Sequence, residues 1–293
     1  MAKSPRERKE GKFAILFGRS PYPQWIWPTP EACEEVHGLL TELHGEVKAP
    51  KTMPPPSLTV AGCGEVPSVL DALLRTVLSA ATSMKAANQS IVALAGKYGV
   101  AQSGPGKGSI DWEKVAEDSV EEVAVIIGKG GLGNLKAKHL KGILDAVMHA
   151  HKKLSLDHLH GQTAELAMKQ LGNLPGVGVK TAACVILFCL QVPCFAVDTH
   201  VYRLCKWLRW VPFTANENKT FWHCDFHMPA HLKYGLHQLL IRHGQTCERC
   251  RADTVANTES YDNATCPLEH LVVRNKKEAK PPTPKAKKKE NQE

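Results

Sequence analysis

Lys180 and Asp198 are the two residues of this chain whose types and spacing best suit covalent chemistry. Lys180 follows the glycine-rich sequence Leu-Pro-Gly-Val-Gly-Val, and Asp198 follows a second apolar run within the sequence Val-Asp-Thr-His. A lysine amine that is buried near other positive potential tends to lose its proton, and the neutral amine is a nucleophile. We therefore predict that Lys180 is readily deprotonated and that Asp198 faces it.

The hairpin Gly176-Val177-Gly178 lies just before Lys180 and predicts a phosphate-binding turn. Two glycines around one valine allow a tight turn whose backbone N–H groups point outward, and the N-terminus of the following helix adds a positive dipole. Taken alone, a Gly-x-Gly turn often only connects two helices. In register with a lysine and an aspartate, it predicts a clamp for the backbone of DNA.

These two motifs resemble the helix-hairpin-helix DNA glycosylases of the endonuclease III family. In that family the lysine after Leu-Pro-Gly-Val-Gly-x is the Schiff-base nucleophile, and the aspartate of Val-Asp-Thr-His is the second catalytic residue. The resemblance implies these roles for Lys180 and Asp198. It extends more weakly over residues 70–266, where residues 131–137 resemble the family's helix-opening Gly-Leu-x-Asn-x-Lys-Ala and residues 241–244 resemble the start of its C-terminal cysteine region.

The activity that the resemblance implies is base excision repair by a DNA glycosylase with associated AP lyase activity. Such an enzyme flips a damaged base, here predicted to be an oxidised pyrimidine, out of double-stranded DNA. It removes the base through a lysine Schiff base, nicks the strand by β-elimination and needs no cofactor for this chemistry. The predicted DNA contacts are Gly176, Val177, Gly178, Thr181, His200 and Arg203.

Two alternatives stay open. In the first, the enzyme excises 5-methylcytosine or a mismatched base instead of an oxidised pyrimidine. In the second, the chain is a non-catalytic helix-hairpin-helix DNA-binding protein. Binding alone requires neither Lys180 nor Asp198, which argues against the second alternative. The sequence also departs from its relatives at Leu78-Ser79-Ala80-Ala81-Thr82, where many of them carry a glutamine that fills the space left by the extruded base. Alanine cannot make that contact.

The fold class predicted is all-α, because apolar residues recur at helical spacing almost throughout. The resemblance implies a two-lobed helix-hairpin-helix glycosylase fold with a central helical bundle and a second lobe built from N- and C-terminal helices. The predicted division is a basic N-terminal segment at 1–28, the N/C-terminal lobe at 29–66 and 196–273, the central lobe with the hairpin at 67–195, and a disordered basic tail at 274–293.

Local sequence signals predict where several helices begin and end. Capping residues and proline mark the first turn of a helix, and glycine marks its end. The predicted helices are one from Pro30, capped by Thr29, to Gly45; one that begins near Pro67; one capped by Ser119 and Glu122; one at 134–152; one at 164–171; and one from Pro229 to Gly244.

The C-terminal cysteines differ from those of the relatives. Many relatives hold a four-iron, four-sulfur cluster with four closely spaced cysteines, whereas Cys247-x-x-Cys250 is followed here only by Cys266. An iron–sulfur cluster needs four ligands, so the usual site is in doubt. Cys247, Cys250, Cys266 and His270 have the types and spacing of a tetrahedral zinc set. Structural zinc, an iron–sulfur cluster and a remnant without metal are the three alternatives.

The net charge of +8 favours a polyanionic partner, and residues 274–293 carry +5 of it from eight Lys or Arg and three Glu. The composition of this tail predicts that it is disordered. Its role is then a salt-sensitive affinity for DNA, a nuclear import signal, or only an increase in solubility. The charged N-terminus does not resemble a signal peptide, and the apolar run 181–197 is shorter than the about 20 residues of a membrane span. We therefore predict an intracellular, nuclear monomer that contacts DNA and no membrane.

Overall fold

The computed structural model describes residues 17–128 and 132–274. Apart from one antiparallel bridge between Val100 and Ile110, these residues contain no β-structure, which confirms the all-α fold class. The helices in chain order are α1 (Pro30–His44), α2 (Val69–Ser79), α3 (Met84–Tyr98), α4 (Trp112–Glu117), α5 (Val120–Ile126), α6 (Gly133–His151), α7 (Ala164–Gly172), α8 (Val179–Cys184), α9 (Thr199–Trp207), α10 (Glu217–His227), α11 (Lys233–Thr246) and α12 (Glu259–Asn263).

Most predicted helices occur close to the predicted positions. The hydroxyl of Thr29 accepts a hydrogen bond from the N–H of Ala32 at 3.2 Å, and Gly45 ends α1 with a φ of 82°. Ser119 and Glu122 form the reciprocal capping box of α5. Each of these interactions satisfies a backbone group that the helix end leaves without an intrahelical partner.

Two helices begin a few residues after the proline near which their start was predicted. Helix α2 begins at Val69 rather than near Pro67, because the side chain of Ser68 caps it. Helix α11 begins at Lys233 rather than at Pro229, because residues Ala230–Leu232 first form a 3-10 turn, and it extends past Gly244 to Thr246.

Helix α8, which carries Lys180, lies at the centre of the packing. It packs against α2, α7 and α10 and continues into one π-helical turn, Val185–Cys189, that also packs on α2. Ala182 and Ala183 have no exposed surface, and Phe188 is 1% exposed. Burial of a large apolar side chain such as Phe188 contributes about 1.5–3 kcal/mol, so α8 is a well-anchored support for its first turn.

A buried ion pair on α2 stabilises the loop before this helix. Arg75 and Asp71 are each 1% exposed and lie 2.8 Å apart. The guanidinium of Arg75 also donates to the carbonyls of Ser57 and Val60, and Trp112 Nε1–H donates to the other oxygen of Asp71. A buried charge is tolerated when its hydrogen bonds are satisfied in this way.

The first and last long helices pack together. Helix α1 lies against α11, and α11 in turn lies against α9. This is the association expected of a lobe built from N- and C-terminal helices, although the lobe boundaries themselves stay a prediction. In the part of the chain that the structure describes, no helix is both long and apolar enough to cross a membrane. The tail after Arg274, the first 16 residues and residues 129–131 lie outside the described residues.

Candidate active site and cysteine cluster

The hairpin needs glycine at its first position. Gly176 has a φ of +71°, and a Cβ at this residue would lie 2.4 Å from the ring of His139. Val177 is 1% exposed, and its N–H donates to the carbonyl of Leu174 at 3.3 Å. Val177 therefore anchors the turn. Its N–H is used within the hairpin, and its predicted contact with DNA stays a prediction.

The second glycine of the hairpin has a different environment. Gly178 is exposed and has a φ of −100°, which any residue adopts, and no described atom outside its neighbours would lie within 4 Å of an added Cβ. Neither backbone geometry nor packing therefore requires glycine at this position. Gly178 is the N-cap of α8, and the first N–H groups of a helix have no partner inside it. The open space beside these groups suits an anion.

Lys180 is the second residue of α8 and is half-buried. Its pKa is raised above the ordinary value, first by Cys184 one helical turn later and then by Asp198, although burial acts in the opposite direction. Burial raises the pKa of Cys184 and keeps it a neutral thiol near pH 7. Of these two neighbours, Asp198 is therefore the one that can place a negative charge beside Lys180. The direction of this shift is opposite to the predicted one, because these neighbours favour the charged form of Lys180.

Asp198 has two roles in its surroundings. Its Oδ1 accepts a hydrogen bond from the N–H of Val201 at 2.8 Å and so caps α9. Its negative charge also acts on Lys180 and on His237. His237 is 2% exposed and lies 2.7 Å from the carbonyl of Ala196 through Nδ1. Burial lowers the pKa of His237 to about 4, so this imidazole is neutral near pH 7.

Thr181 and the hairpin line a small cavity. Thr181 is 7% exposed, and the cavity, of about 130 Å³, is also lined by Gly176, Ala81 and Lys136. The ammonium of Lys136 donates to the carbonyl of Leu78 at 2.6 Å. Ala80 and Ala81 thus border a gap in the surface. The predicted contact of Thr181 with DNA stays a prediction.

His200 and Arg203 lie on α9 but are held by the C-terminal segment. Nη2 of Arg203 donates to the carbonyls of Gly244 at 2.9 Å and Cys250 at 2.8 Å, and Nδ1 of His200 lies 3.1 Å from the carbonyl of Gly244. Burial lowers the pKa of Arg203. Nε and Nη2 of Arg203 are thus engaged within the protein, and its predicted contact with DNA stays a prediction.

Three of the four predicted metal ligands come together, and the fourth does not. Cys247, Cys250 and Cys266 are joined by His243, and the four ligand atoms all lie within 4.8 Å of one another. His243 is fully buried, whereas His270 is exposed. His270 is therefore wrong as the fourth residue. The spacing would have revealed His243, since it precedes Cys247 by four residues, which is one helical turn.

The sequence of residues 74–224 matches the HhH-GPD superfamily of base excision DNA repair proteins. The chain belongs to this superfamily. It is 31% identical over 271 residues to a candidate DNA glycosylase of Arabidopsis thaliana. This match covers 86% of this chain and 88% of that protein. It is 33% identical over 104 residues to the DNA glycosylase/AP lyase ROS1 of the same organism, which covers 36% of this chain and 8% of ROS1.

The HhH-GPD fold is also visible in three dimensions. The protein superimposes on a trapped covalent intermediate of endonuclease III and DNA with a TM-score of 0.61 and 21% identity, over 85% of this chain and 98% of that one. As an HhH-GPD protein, it is a base excision DNA glycosylase. The hairpin, Lys180 and Asp198 all lie inside the segment that matches the superfamily, whereas the cysteine cluster lies beyond its end at residue 224.

Proposed function

We propose that this protein is a bifunctional enzyme, a DNA N-glycosylase with AP lyase activity, and that Lys180 is its nucleophile. The observation that carries the proposal is that Asp198 lies close enough to Lys180 to act on its pKa, beside an exposed glycine hairpin. A binding protein needs the hairpin but not the pair. Two similar proteins agree with lyase chemistry: ROS1 is a DNA glycosylase/AP lyase, and the superimposed endonuclease III is trapped in a covalent intermediate with DNA.

The reaction begins with a charged lysine. Asp198 accepts a proton from the Lys180 ammonium, and the neutral amine attacks C1′ of the flipped nucleotide. The bond between C1′ and the base breaks, the bond between C1′ and Nζ forms, and the base leaves with the electron pair and takes up a proton. The sugar ring opens to a Schiff base on Lys180. Loss of a proton from C2′ then expels the 3′ phosphate and nicks the strand.

Asp198 is suited to the first step because its carboxyl group lies close enough to Lys180 to act on the pKa of the amine. As positive charge develops on the sugar, a fixed carboxylate stabilises it more than water would, since it needs no reorganisation. The capping bond to Val201 holds the carboxylate in place. Lys180 and Asp198 supply all the groups that this chemistry uses, and the cysteine cluster has a structural role.

Double-stranded DNA is the proposed partner, and the hairpin is its backbone clamp. A phosphate next to the flipped nucleotide would be bound at Gly178 and at the first N–H groups of α8, which fixes the register without reading the sequence. Bending and flipping cost a few kcal/mol, which damage reduces. We propose an oxidised pyrimidine as the damaged base, a monomeric enzyme and a nuclear location.

Borohydride trapping tests the nucleophile. The wild-type chain should be trapped covalently on duplex DNA with an abasic site, and Lys180→Ala should abolish trapping. Lys169→Ala, an exposed lysine on α7, is the matched control and should be trapped like the wild type. Equal trapping by Lys180→Ala would remove Lys180 from this role.

A panel of duplexes tests the substrate. Base release and nicking on thymine glycol would support the proposed oxidised pyrimidine, whereas release confined to 5-methylcytosine or to a mismatched base would support the alternative enzyme. Tight binding to every duplex, with no release and no trapping on abasic DNA, would show a non-catalytic DNA-binding protein and overturn the proposal.

A further inference from the structure

We propose that His243, Cys247, Cys250 and Cys266 bind one zinc ion in place of an iron–sulfur cluster, and that this ion holds the segment on which α9 rests. The metal assignment is independent of the proposed function. The consequence for Asp198, which begins α9, rests on it.

The distances within the cluster fit a single ion. In tetrahedral zinc sites the metal lies about 2.3 Å from sulfur and about 2.0 Å from nitrogen, which separates two sulfurs by about 3.8 Å and a sulfur from a nitrogen by about 3.6 Å. Sγ of Cys250 and Sγ of Cys266 are 3.6 Å apart, and Sγ of Cys266 is 3.5 Å from Nε2 of His243. These two distances are those of neighbouring ligands around one zinc ion, and all four ligand atoms lie within 4.8 Å of one another.

A four-iron cluster does not fit the same residues. Each cysteine of such a cluster binds a different iron, so its four ligand atoms must stand farther apart than ligands that share one ion, whereas the four ligand atoms here all lie within 4.8 Å of one another. The donor set also differs, because three cysteines and one histidine form a closed structural zinc site. Thiolate and imidazole ligands in a tetrahedron favour zinc over magnesium, calcium or copper(II).

The ring of His243 is oriented for metal binding by a second histidine. Nδ1 of His243 lies 3.1 Å from Nε2 of His44, the last residue of α1. If Nδ1 of His243 carries the proton and donates it to His44, Nε2 keeps its lone pair for the metal on the side of Cys266. Histidine ligands in metal sites are held in this way through their second nitrogen. The N-terminal helix is thereby connected to the cluster.

Positive charge stands where a zinc site of this kind needs it. Three thiolates, one neutral imidazole and Zn²⁺ sum to a net charge of −1, which is costly to bury without a cation nearby. Nη2 of Arg274 lies 3.9 Å from Sγ of Cys250 and provides that cation. Arg274 is itself held by Glu269 through two hydrogen bonds of 2.9 Å.

The same segment supports helix α9. Arg203 binds the carbonyl of Cys250 through both Nε and Nη2, and with His200 it reaches the carbonyl of Gly244, which follows the ligand His243. A metal bound to His243 and Cys250 would fix both carbonyls. Because Asp198 is the N-cap of α9, loss of the ion would loosen the support of the helix that carries it.

Metal analysis of the full chain tests the assignment. Protein produced in medium with both iron and zinc should contain about one zinc per chain and lack the broad visible absorption of an iron–sulfur cluster. His243→Cys should keep the zinc, and His270→Ala, the matched control, should keep it too. His243→Ala should lose it. Iron with visible absorption, or wild-type zinc no higher than that of His243→Ala, would overturn the proposal.

Cobalt substitution keeps the test independent of any variant that fails to fold. Wild-type protein stripped with a chelator and titrated with Co²⁺ alone should give the strong bands of a tetrahedral thiolate site at one equivalent, and zinc should displace them. Weak octahedral bands would overturn the site.

The link to Asp198 has its own readout. Zinc removal should lower the Tm and reduce trapping on abasic-site DNA several-fold, and added zinc should restore both. Unchanged Tm and trapping would overturn the supporting role while leaving the metal assignment intact. Absence of trapping in the zinc-loaded wild type would instead count against the proposed function.

Discussion

The carbonyl of Cys250 accepts two hydrogen bonds from one guanidinium, that of Arg203, at 3.2 Å from Nε and 2.8 Å from Nη2. The two residues are 47 positions apart in the chain, so this fork joins the helix of Asp198 to the C-terminal segment. A planar guanidinium makes such a fork, and a lysine ammonium cannot reproduce its geometry.

Arg203→Lys should therefore act on stability rather than on DNA contact. We expect a loss of roughly 1–3 kcal/mol in the free energy of unfolding, because buried carbonyls lose charge-assisted partners. Urea unfolding measures this loss, and DNA titrations over a range of salt provide the comparison. A stable variant whose binding depends less steeply on salt would show instead that Arg203 contacts a phosphate.

The two hairpin glycines should respond in opposite ways to alanine. Gly178→Ala should leave the free energy of unfolding unchanged or raise it by up to about 1 kcal/mol, because the backbone is compatible with alanine. It should weaken DNA binding roughly tenfold by occupying the space where a phosphate approaches. Gly176→Ala should instead cost more than about 2 kcal/mol of stability, since its φ is positive and His139 blocks the Cβ.

Thermal or urea unfolding and DNA titration of both variants check this pair. Normal DNA binding by Gly178→Ala would mean that the hairpin only connects α7 and α8.

His223 should make the fold sensitive to acid. It is fully buried, its Nδ1 lies 2.6 Å from the hydroxyl of Ser20, and its Nε2 contacts the carbonyl of Trp27. Burial lowers the pKa of His223 from 6.5 to about 4. The unfolded chain therefore binds the proton first, so the stability is present above pH 6.5 and is lost as the pH falls toward 4, by up to roughly 3 kcal/mol.

Urea unfolding between pH 7 and pH 4 checks the sign. His223→Gln should be less stable at pH 7 but lose less stability on acidification, whereas His149→Gln, at an exposed position of α6, should follow the wild type. Parallel curves for His223→Gln and the wild type would show that other groups dominate the acid response.

The parts of the fold that the sequence predicted are those with local causes. Thr29 and Gly45 act on backbone groups within one turn, so the ends of α1 follow from neighbouring residues. Helix α3 was not predicted. Its exposed surface includes the apolar residues Met84 and Val92, so apolar residues in its sequence do not mark a single buried face. The start of α11 was misplaced because proline is compatible with a 3-10 turn as well as with the first turn of an α-helix.

In the candidate site, too, some features follow from neighbouring residues and others depend on the folded structure. Lys180 and the hairpin stand within a few residues of each other, so their association follows from local order. The charge state of Lys180 does not, because it depends on Asp198, 18 positions later, being folded against it. The spacing of His243 to Cys247 is local, but the choice of His243 over His270 depends on the segment containing Cys266 folding back onto α11.

Asp198→Asn separates the capping role of this residue from its charge. Asparagine caps a helix about as well as aspartate, so the free energy of unfolding should change by less than about 1 kcal/mol. Base release should fall by several orders of magnitude, since the amide neither accepts the Lys180 proton nor stabilises a cationic sugar.

The same variant should also change the pH dependence of trapping. Cys184 and Asp198 together raise the pKa of Lys180, and removal of the carboxylate should lower it. Trapping on a preformed abasic site, which needs only the free amine, should therefore reach half its maximum at a lower pH than in the wild type. Single-turnover base release and the pH profile of trapping measure the two effects, and an unfolded or DNA-binding-deficient Asp198→Asn would show that the residue acts mainly as a cap.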